Sequence, residues 1–402
     1  MKVDLLKGTR ILLVGYYIPC PFAAYLLRGC GAEVVKIEPP FGDLLRGFPP
    51  FLKGKSGEKM SAFFRSFNGG FKSIGVNFKD PDGIEVLREL IKKAHVVLDG
   101  NRPGFLEEVL GSKLEQLFPE VVHIPVTAFG SKGPLKDMAG HDNNILAMIG
   151  ALSFNSPHGA FFGAQVADIL AGTMAAFMAV AGLLGRKNPE CSNPVSRIDV
   201  SMLHAATALT QMYVTAMNCS GKSPESETEL LNGGLPNYRS FKTRDGKSIF
   251  FGPIENKLFQ NFCEKVDRPD LPELLRAFQK KEEKGNRLVG ELEGVFRSRS
   301  QDEWGALLEK TDCCFTSIRD LREAVLEPQL RELGLVQEVQ DETFGKLLMP
   351  GFPAGFSSQS NQPEGLNEKA PGLGEHTREI LKGLVNLGDE KIQSLYNKKA
   401  VC

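Results

Sequence analysis

Short apolar runs alternating with helix starts through the first 130 residues constrain this chain more than any other feature. Arg10–Gly15 (RILLVG) reads as a strand, Pro21–Gly29 as a helix with Pro in its first turn, and Glu33–Ile37 (EVVKI) as the next strand. Ser73–Phe78 opens a second unit of the same kind. There Asp80-Pro81-Asp82-Gly83 starts a helix to about Lys93, and His95–Leu98 follows as a strand. Val121–Val126 adds one more. Strands separated by helices of this length pair as parallel neighbours through crossovers, so the expected fold is α/β: an open, doubly wound, mostly parallel, Rossmann-like sheet. Two apolar stretches, Asp168–Leu184 and Asp199–Met217, are expected to pack on it as helices.

The character changes at Asn218–Asn237, which is polar and rich in Gly, Ser and Pro. The expected organisation is a large domain over residues 1–217, a linker over 218–237 and a smaller α+β domain over 238–349. Within the latter, Tyr238–Thr243 and Lys247–Phe251 flank the turn residues Asp245-Gly246 as a hairpin. Helices are expected from Asn256 to Leu326, and Leu335–Leu348 reads as a second hairpin. Residues 350–402 are expected to rejoin the large domain, with His376–Leu395 as one closing helix.

Composition removes several function classes. The 402 residues carry 48 Lys+Arg against 49 Asp+Glu, a net charge of −1, which argues against a dedicated nucleic-acid binder. Eight cysteines without a CxxC pair give no zinc site and read as reduced thiols. Ile169–Gly185 is almost wholly apolar but shorter than the ~20 residues a bilayer span needs, so a buried core helix is expected and no membrane partner. Met1–Lys7 is charged and unlike a secretory signal, and Lys398–Cys402 is not an SKL-type address; a cytoplasmic protein is expected. Gly15 is followed by Tyr16-Tyr17-Ile18-Pro19-Cys20-Pro21, without the glycines of a dinucleotide loop. Walker A, GxSxG and HExxH sequences are also missing from the chain.

The chemistry-bearing residues fall between 126 and 172. Val126–Gly130 leaves a strand, and Gly140-His141-Asp142 stands before the next helix. Ligands of open α/β sheets bind at the carboxyl ends of strands, and an imidazole there is suited to proton transfer near neutral pH. Asp168 opens the long apolar helix, where a carboxylate either caps the first turn or serves chemistry. For His141 the plainer reading is a satisfied, partly buried imidazole. His95, His123, His158 and His204 read as structural.

Further segments, taken in order, carry a resemblance. Gly31–Pro40 (GAEVVKIEPP) with Gly42-Asp43, then Lys72-Ser73-Ile74, Asn101-Arg102-Pro103-Gly104, Phe129-Gly130 through Gly133-Pro134, and Leu373-Gly374-Glu375-His376-Thr377 are similar to family III CoA-transferases, the CaiB/BaiF superfamily. Gly140-His141-Asp142, Gly252-Pro253-Ile254-Glu255 and Asp312-Cys313-Cys314-Phe315 resemble its α-methylacyl-CoA racemase branch.

That resemblance implies inversion at the α-carbon of a 2-methyl-branched acyl-CoA. His141 and Asp168 would exchange protons on opposite faces of an enolate, with Glu255 holding His141. A backbone N–H at the start of the Asp168 helix is the expected donor to the enolate oxygen. Arg102 would meet the CoA phosphates, with Lys36, Lys72 and Lys79 as further partners. No separate cofactor is implied, CoA being part of the substrate, and an interlocked homodimer is. The alternatives are a CoA-transferase forming an acyl anhydride on Asp168, and an idle CoA-binding scaffold. Ile145 stands where the racemases often have Tyr, and Ile169-Leu170-Ala171 where they are often Gly-rich, which puts the acyl group at issue.

Overall fold

A computed structural model of the chain describes residues 3–155, 161–192, 194–356 and 368–402. They form two units: residues 1–149, 162–209 and 327–402 make the first, and 150–161 with 210–326 the second.

In the first unit, β1 (Arg10–Gly15), α1 (Pro19–Gly29), β2 (Glu33–Glu38), β3 (Lys72–Gly75), α2 (Pro81–Lys92), β4 (Val96–Gly100) and β5 (Val122–Thr127) follow the expected alternation. Next come α3 (Asp142–Met148), α4 (Val166–Lys187), β6 (Val200–Ser201) and α5 (Met202–Thr207). The six strands form one parallel sheet in the order β3-β2-β1-β4-β5-β6. This is the doubly wound Rossmann order, whose direction reverses between β1 and β4. Leu12, Val14, Val35, Ile37, Ile74 and Val97 of the sheet are buried with Leu87, Leu90 and Ile91 of α2. Ile380, Leu381, Ile392 and Leu395 near the C terminus complete that layer. On the opposite face α1 meets α4 so closely that a Cβ on Gly172 would lie 2.6 Å from the Pro19 carbonyl oxygen.

Asp199–Met217 is not one helix. Val200–Ser201 is the sixth strand, and the Ser201 hydroxyl caps α5 by accepting the His204 N–H at 3.0 Å. A single 3₁₀ turn, Ala208–Thr210, then precedes α6 (Gln211–Ser220) in the second unit. The closing helix is likewise two, α8 (Thr377–Gly383) and α9 (Asp389–Asn397), because Asn386 takes a left-handed φ of 60° between them.

The second unit carries an antiparallel sheet of β7 (Arg239–Lys242), β8 (Ser248–Phe251) and β9 (Phe315–Ser317), with α7 (Asn256–Lys265) directly after β8. Phe251, Phe259, Phe262, Phe296 and Trp304 form its core, and the Trp304 indole N–H donates to the Phe296 carbonyl at 2.9 Å. The expected linker at 218–237 is part of this unit rather than a tether. Asn232 donates to the Glu225 carbonyl at 2.9 Å, and the buried Asn237 to that of Pro253 at 2.6 Å. The hairpin of β10 (Val336–Asp341) and β11 (Gly345–Pro350), assigned from sequence to the small domain, belongs to the first unit. Its Asp341 is buried 3.6 Å from the buried Arg65 of that unit.

Candidate active site

The turn after β1 carries two aromatic side chains at the point where the strand order reverses. Tyr17 takes a left-handed φ of 63° and sets its ring edge-on to His141, centroids 6.0 Å apart. His141 thereby stands at the carboxyl end of the sheet, where ligands of such folds bind. It precedes α3 in extended conformation, its N–H donates to Asn144 Oδ1 at 3.0 Å, and its imidazole is exposed rather than partly buried. Gly140 makes the approach possible, since a Cβ there would lie 2.8 Å from the Phe129 ring.

Asp142, next in sequence, turns inward and is 5% exposed. Its Oδ2 accepts the Asp168 N–H at 3.0 Å. The start of α3 is thus stitched to the start of α4, which brings the residue after His141 against Asp168. Asp168 is the third residue of α4 and does not cap it; Asp142, from another helix, fills that role. Burial first, and the Asp142 charge second, push the Asp168 carboxyl up to about 7. A carboxyl poised there can give and take protons at neutral pH.

Three amides at the start of α4, where the oxyanion donor is expected, already have acceptors. The Val166 amide donates to the Ala164 carbonyl at 3.0 Å, Asp168 donates to Asp142 Oδ2 at 3.0 Å, and Ile169 donates to the Gln165 carbonyl at 3.1 Å.

The basic residues divide. Arg102, in the loop after β4, is exposed and paired with Glu108, and the preceding Asn101 donates to the Val14 carbonyl at 2.9 Å across the strand reversal. Lys79 is exposed ahead of α2, on the carboxyl side of β3. Lys36 cannot meet a phosphate: it is fully buried, its Nζ 2.7 Å from Asp43 and donating to the Gly15 carbonyl at 3.3 Å. A lysine in a central parallel strand is covered on both faces and has to pair. Lys72 reaches back to Glu33 at the amino end of β2 (3.2 Å) and to Glu379 (2.9 Å), away from the carboxyl ends. Glu255 belongs to the second unit, exposed directly before α7, with its charge felt by the Cys314 thiol.

Of the remaining histidines, His123 is buried beside Asp99 (3.5 Å) and Glu115 (3.7 Å), whose carboxylates outweigh burial and raise its pKa. His95 Nδ1 accepts the Arg10 N–H at 3.0 Å. His204 lies in α5, and His158 lies outside the described residues. Helix α4 runs 22 residues, beyond the expected apolar run, and is the one helix among the described residues long and apolar enough to cross a membrane. It is not the buried core helix expected: one third of its most apolar stretch is buried, and Met174, Phe177 and Leu184 are exposed.

Sequence reasoning passed over Tyr17 and gave Asp142 no role of its own. The signals were present: two tyrosines directly after the first strand, and a carboxylate at the first position of the helix behind His141.

A Rossmann-ordered unit with a carboxyl-end site built on two helix starts defines an α/β enzyme scaffold. The chain belongs to CoA-transferase family III, whose family model matches residues 6–377. Succinyl-CoA:glutarate CoA-transferase from Mus musculus is 31% identical over 97% of this chain and 88% of that protein. Alpha-methylacyl-CoA racemase from the same species is 27% identical over 98% and 97%. A crystal structure of a CAIB/BAIF family protein from Brucella suis, at 24% identity, matches 94% of this chain and 99% of that one with a TM-score of 0.77.

Proposed function

We propose that this enzyme inverts the α-carbon of a 2-methyl-branched acyl-CoA by proton transfer between His141 and Asp168. The observation that carries the reading is the Asp168 carboxyl: near 7, and accepting no hydrogen bond among the described residues. The α-proton of a thioester is only weakly acidic, so its removal needs a base on one face and an acid on the other. An exposed imidazole and a near-neutral carboxyl supply that pair, exchanging roles with the hand of the substrate. Arg102 and Lys79 would take the CoA phosphates, Arg102 exchanging its Glu108 partner for phosphate. No cofactor beyond the CoA of the substrate enters this reading. Glu255 is included on the sequence resemblance alone. A homodimer is part of the proposal, supported by the exposed apolar face of α4.

A second reading is favoured by the transferase at 31% identity: Asp168 attacks an acyl-CoA thioester carbonyl, giving an acyl-aspartyl anhydride and CoA thiolate. The thiolate attacks the aspartyl carbonyl and frees the donor carboxylate. A second carboxylate displaces CoA as a new anhydride, and the thiolate takes its acyl group to give the new acyl-CoA and free Asp168. Incubation with a 2-methylacyl-CoA in deuterated water separates the two. Exchange and racemisation at the α-carbon, lost in His141→Ala and Asp168→Ala, support the first. Hydroxylamine trapping of an acyl-enzyme with no α-exchange overturns it in favour of the second.

A further inference from the structure

We propose that Asp142 is a positioning residue for Asp168: its buried carboxylate takes the backbone amide at the start of the helix that carries Asp168 and sets a like charge beside the Asp168 carboxyl. The catalytic consequence rests on the proton-transfer reading of Asp168; the effect on Asp168 ionisation does not.

Asp168 sits in the first turn of a 22-residue helix whose N-cap residue, Gln165, gives no side-chain cap. A carboxylate there is ordinarily stabilised by the free amides and the helix field, which lowers its proton affinity. Asp142 pre-empts that. Its Oδ2 accepts the Asp168 N–H at 3.0 Å. The Asp168 carboxyl is left half-buried with a like charge as neighbour.

The other oxygen of Asp142 separates a tuning role from a plain cap. Oδ1 is buried and has no hydrogen-bond partner. An Asn or Ser could satisfy the same amide without burying an unpaired charge, and unpaired buried carboxylates are costly. What Asp adds here is the charge itself. The elements packed on α4 bring other titratable groups: His141 directly before α3, Cys20, Tyr25 and Arg28 on α1, His123 on β5 and His204 on α5. After burial, the Asp142 charge is what raises the Asp168 carboxyl.

The test is Asp142→Asn, whose amide oxygen can still accept the Asp168 N–H while the charge is gone. Asp168 ionisation is followed by carboxyl ¹³C NMR of the full chain, its signal assigned with Asp168→Asn. The midpoint is expected to fall from near neutrality by about one unit or more, the scale of a close like charge. The acidic limb of the α-proton exchange profile should move with it, while KM for the acyl-CoA is kept. Asp142→Ser serves as the second uncharged cap if Asp142→Asn does not fold. An unmoved Asp168 midpoint in either folded variant overturns the proposal. A moved midpoint in an enzyme that exchanges no α-proton supports the role of Asp142 while overturning the racemase reading.

Discussion

Asp168 links ionisation to stability in a direction opposite to most carboxylates. Its folded value of about 7 lies above the ordinary Asp value of about 3.9, so the folded protein holds the proton more tightly than the unfolded chain. The contribution is full below about pH 4 and is lost as pH rises through about 7. Asp168→Asn cannot make that transition. Between pH 4 and pH 8 the variant should gain on the wild type by on the order of 4 kcal/mol, about three pKa units at ~1.36 kcal/mol each. Denaturant unfolding at both pH values measures the difference, and an equal margin at both would mean an ordinary carboxyl. At this scale the sequence was informative about which residues mattered and silent about their surroundings. Gly140-His141-Asp142 and Asp168 could be picked out by residue type and position. That Asp142 rather than Asp168 caps α4 depends on two helix starts, 26 residues apart, meeting in space.

Among the elements, β2 separates what periodicity can and cannot report. Its apolar run was legible as a strand, but Lys36 in the middle of it was read as a phosphate partner. Its central place in the sheet, between β1 and β3, leaves no solvent for an ammonium group, and Asp43 from the following loop neutralises it at 2.7 Å. The neighbouring Glu38 pairs with Arg46 at 2.7 Å and accepts from the Ser73 hydroxyl at 2.6 Å, so β2 anchors that loop through two buried charges. Lys36→Met should therefore act on stability. Leaving Asp43 buried and uncompensated costs about 3–5 kcal/mol, whereas replacing both partners by apolar residues should restore most of it. Urea unfolding of the single and double variants tests this; a fully stable Lys36→Met would place the lysine outside the core. The helices show the same limit. Asn386-Leu387-Gly388-Asp389 carries stop and start residues, yet the apolar spacing continues across it, and the left-handed Asn386 that divides α8 from α9 leaves only a weak trace in sequence.

For the whole molecule, the doubly wound parallel sheet followed from alternation, while its sixth strand and the allotment of segments to units did not. The β10–β11 hairpin is local in sequence, and its place in the first unit depends on a buried pair between Arg65 and Asp341, far apart along the chain. The same holds for α4. Its Ala- and Gly-rich face, with Ala171, Gly172, Ala175 and Ala179 buried, packs within the first unit, and a run of bulkier apolar residues remains on the outside. Met174, Phe177 and Leu184 are exposed, Phe177 and Leu184 at 62% each, and apolar side chains grouped on one face mark a surface suited to a partner. If a second copy covers this face, as proposed above, Phe177→Lys should desolvate an unpaired ammonium at the contact and shift the protein to monomer. Leu321→Lys, at a position 79% exposed in the second unit, serves as the control and should leave the assembly unchanged. Sedimentation velocity reads both. A wild-type chain that sediments as a monomer at micromolar concentration would remove the second copy from the proposal, whereas loss of the dimer in the Phe177 variant alone would assign this face of α4 to it.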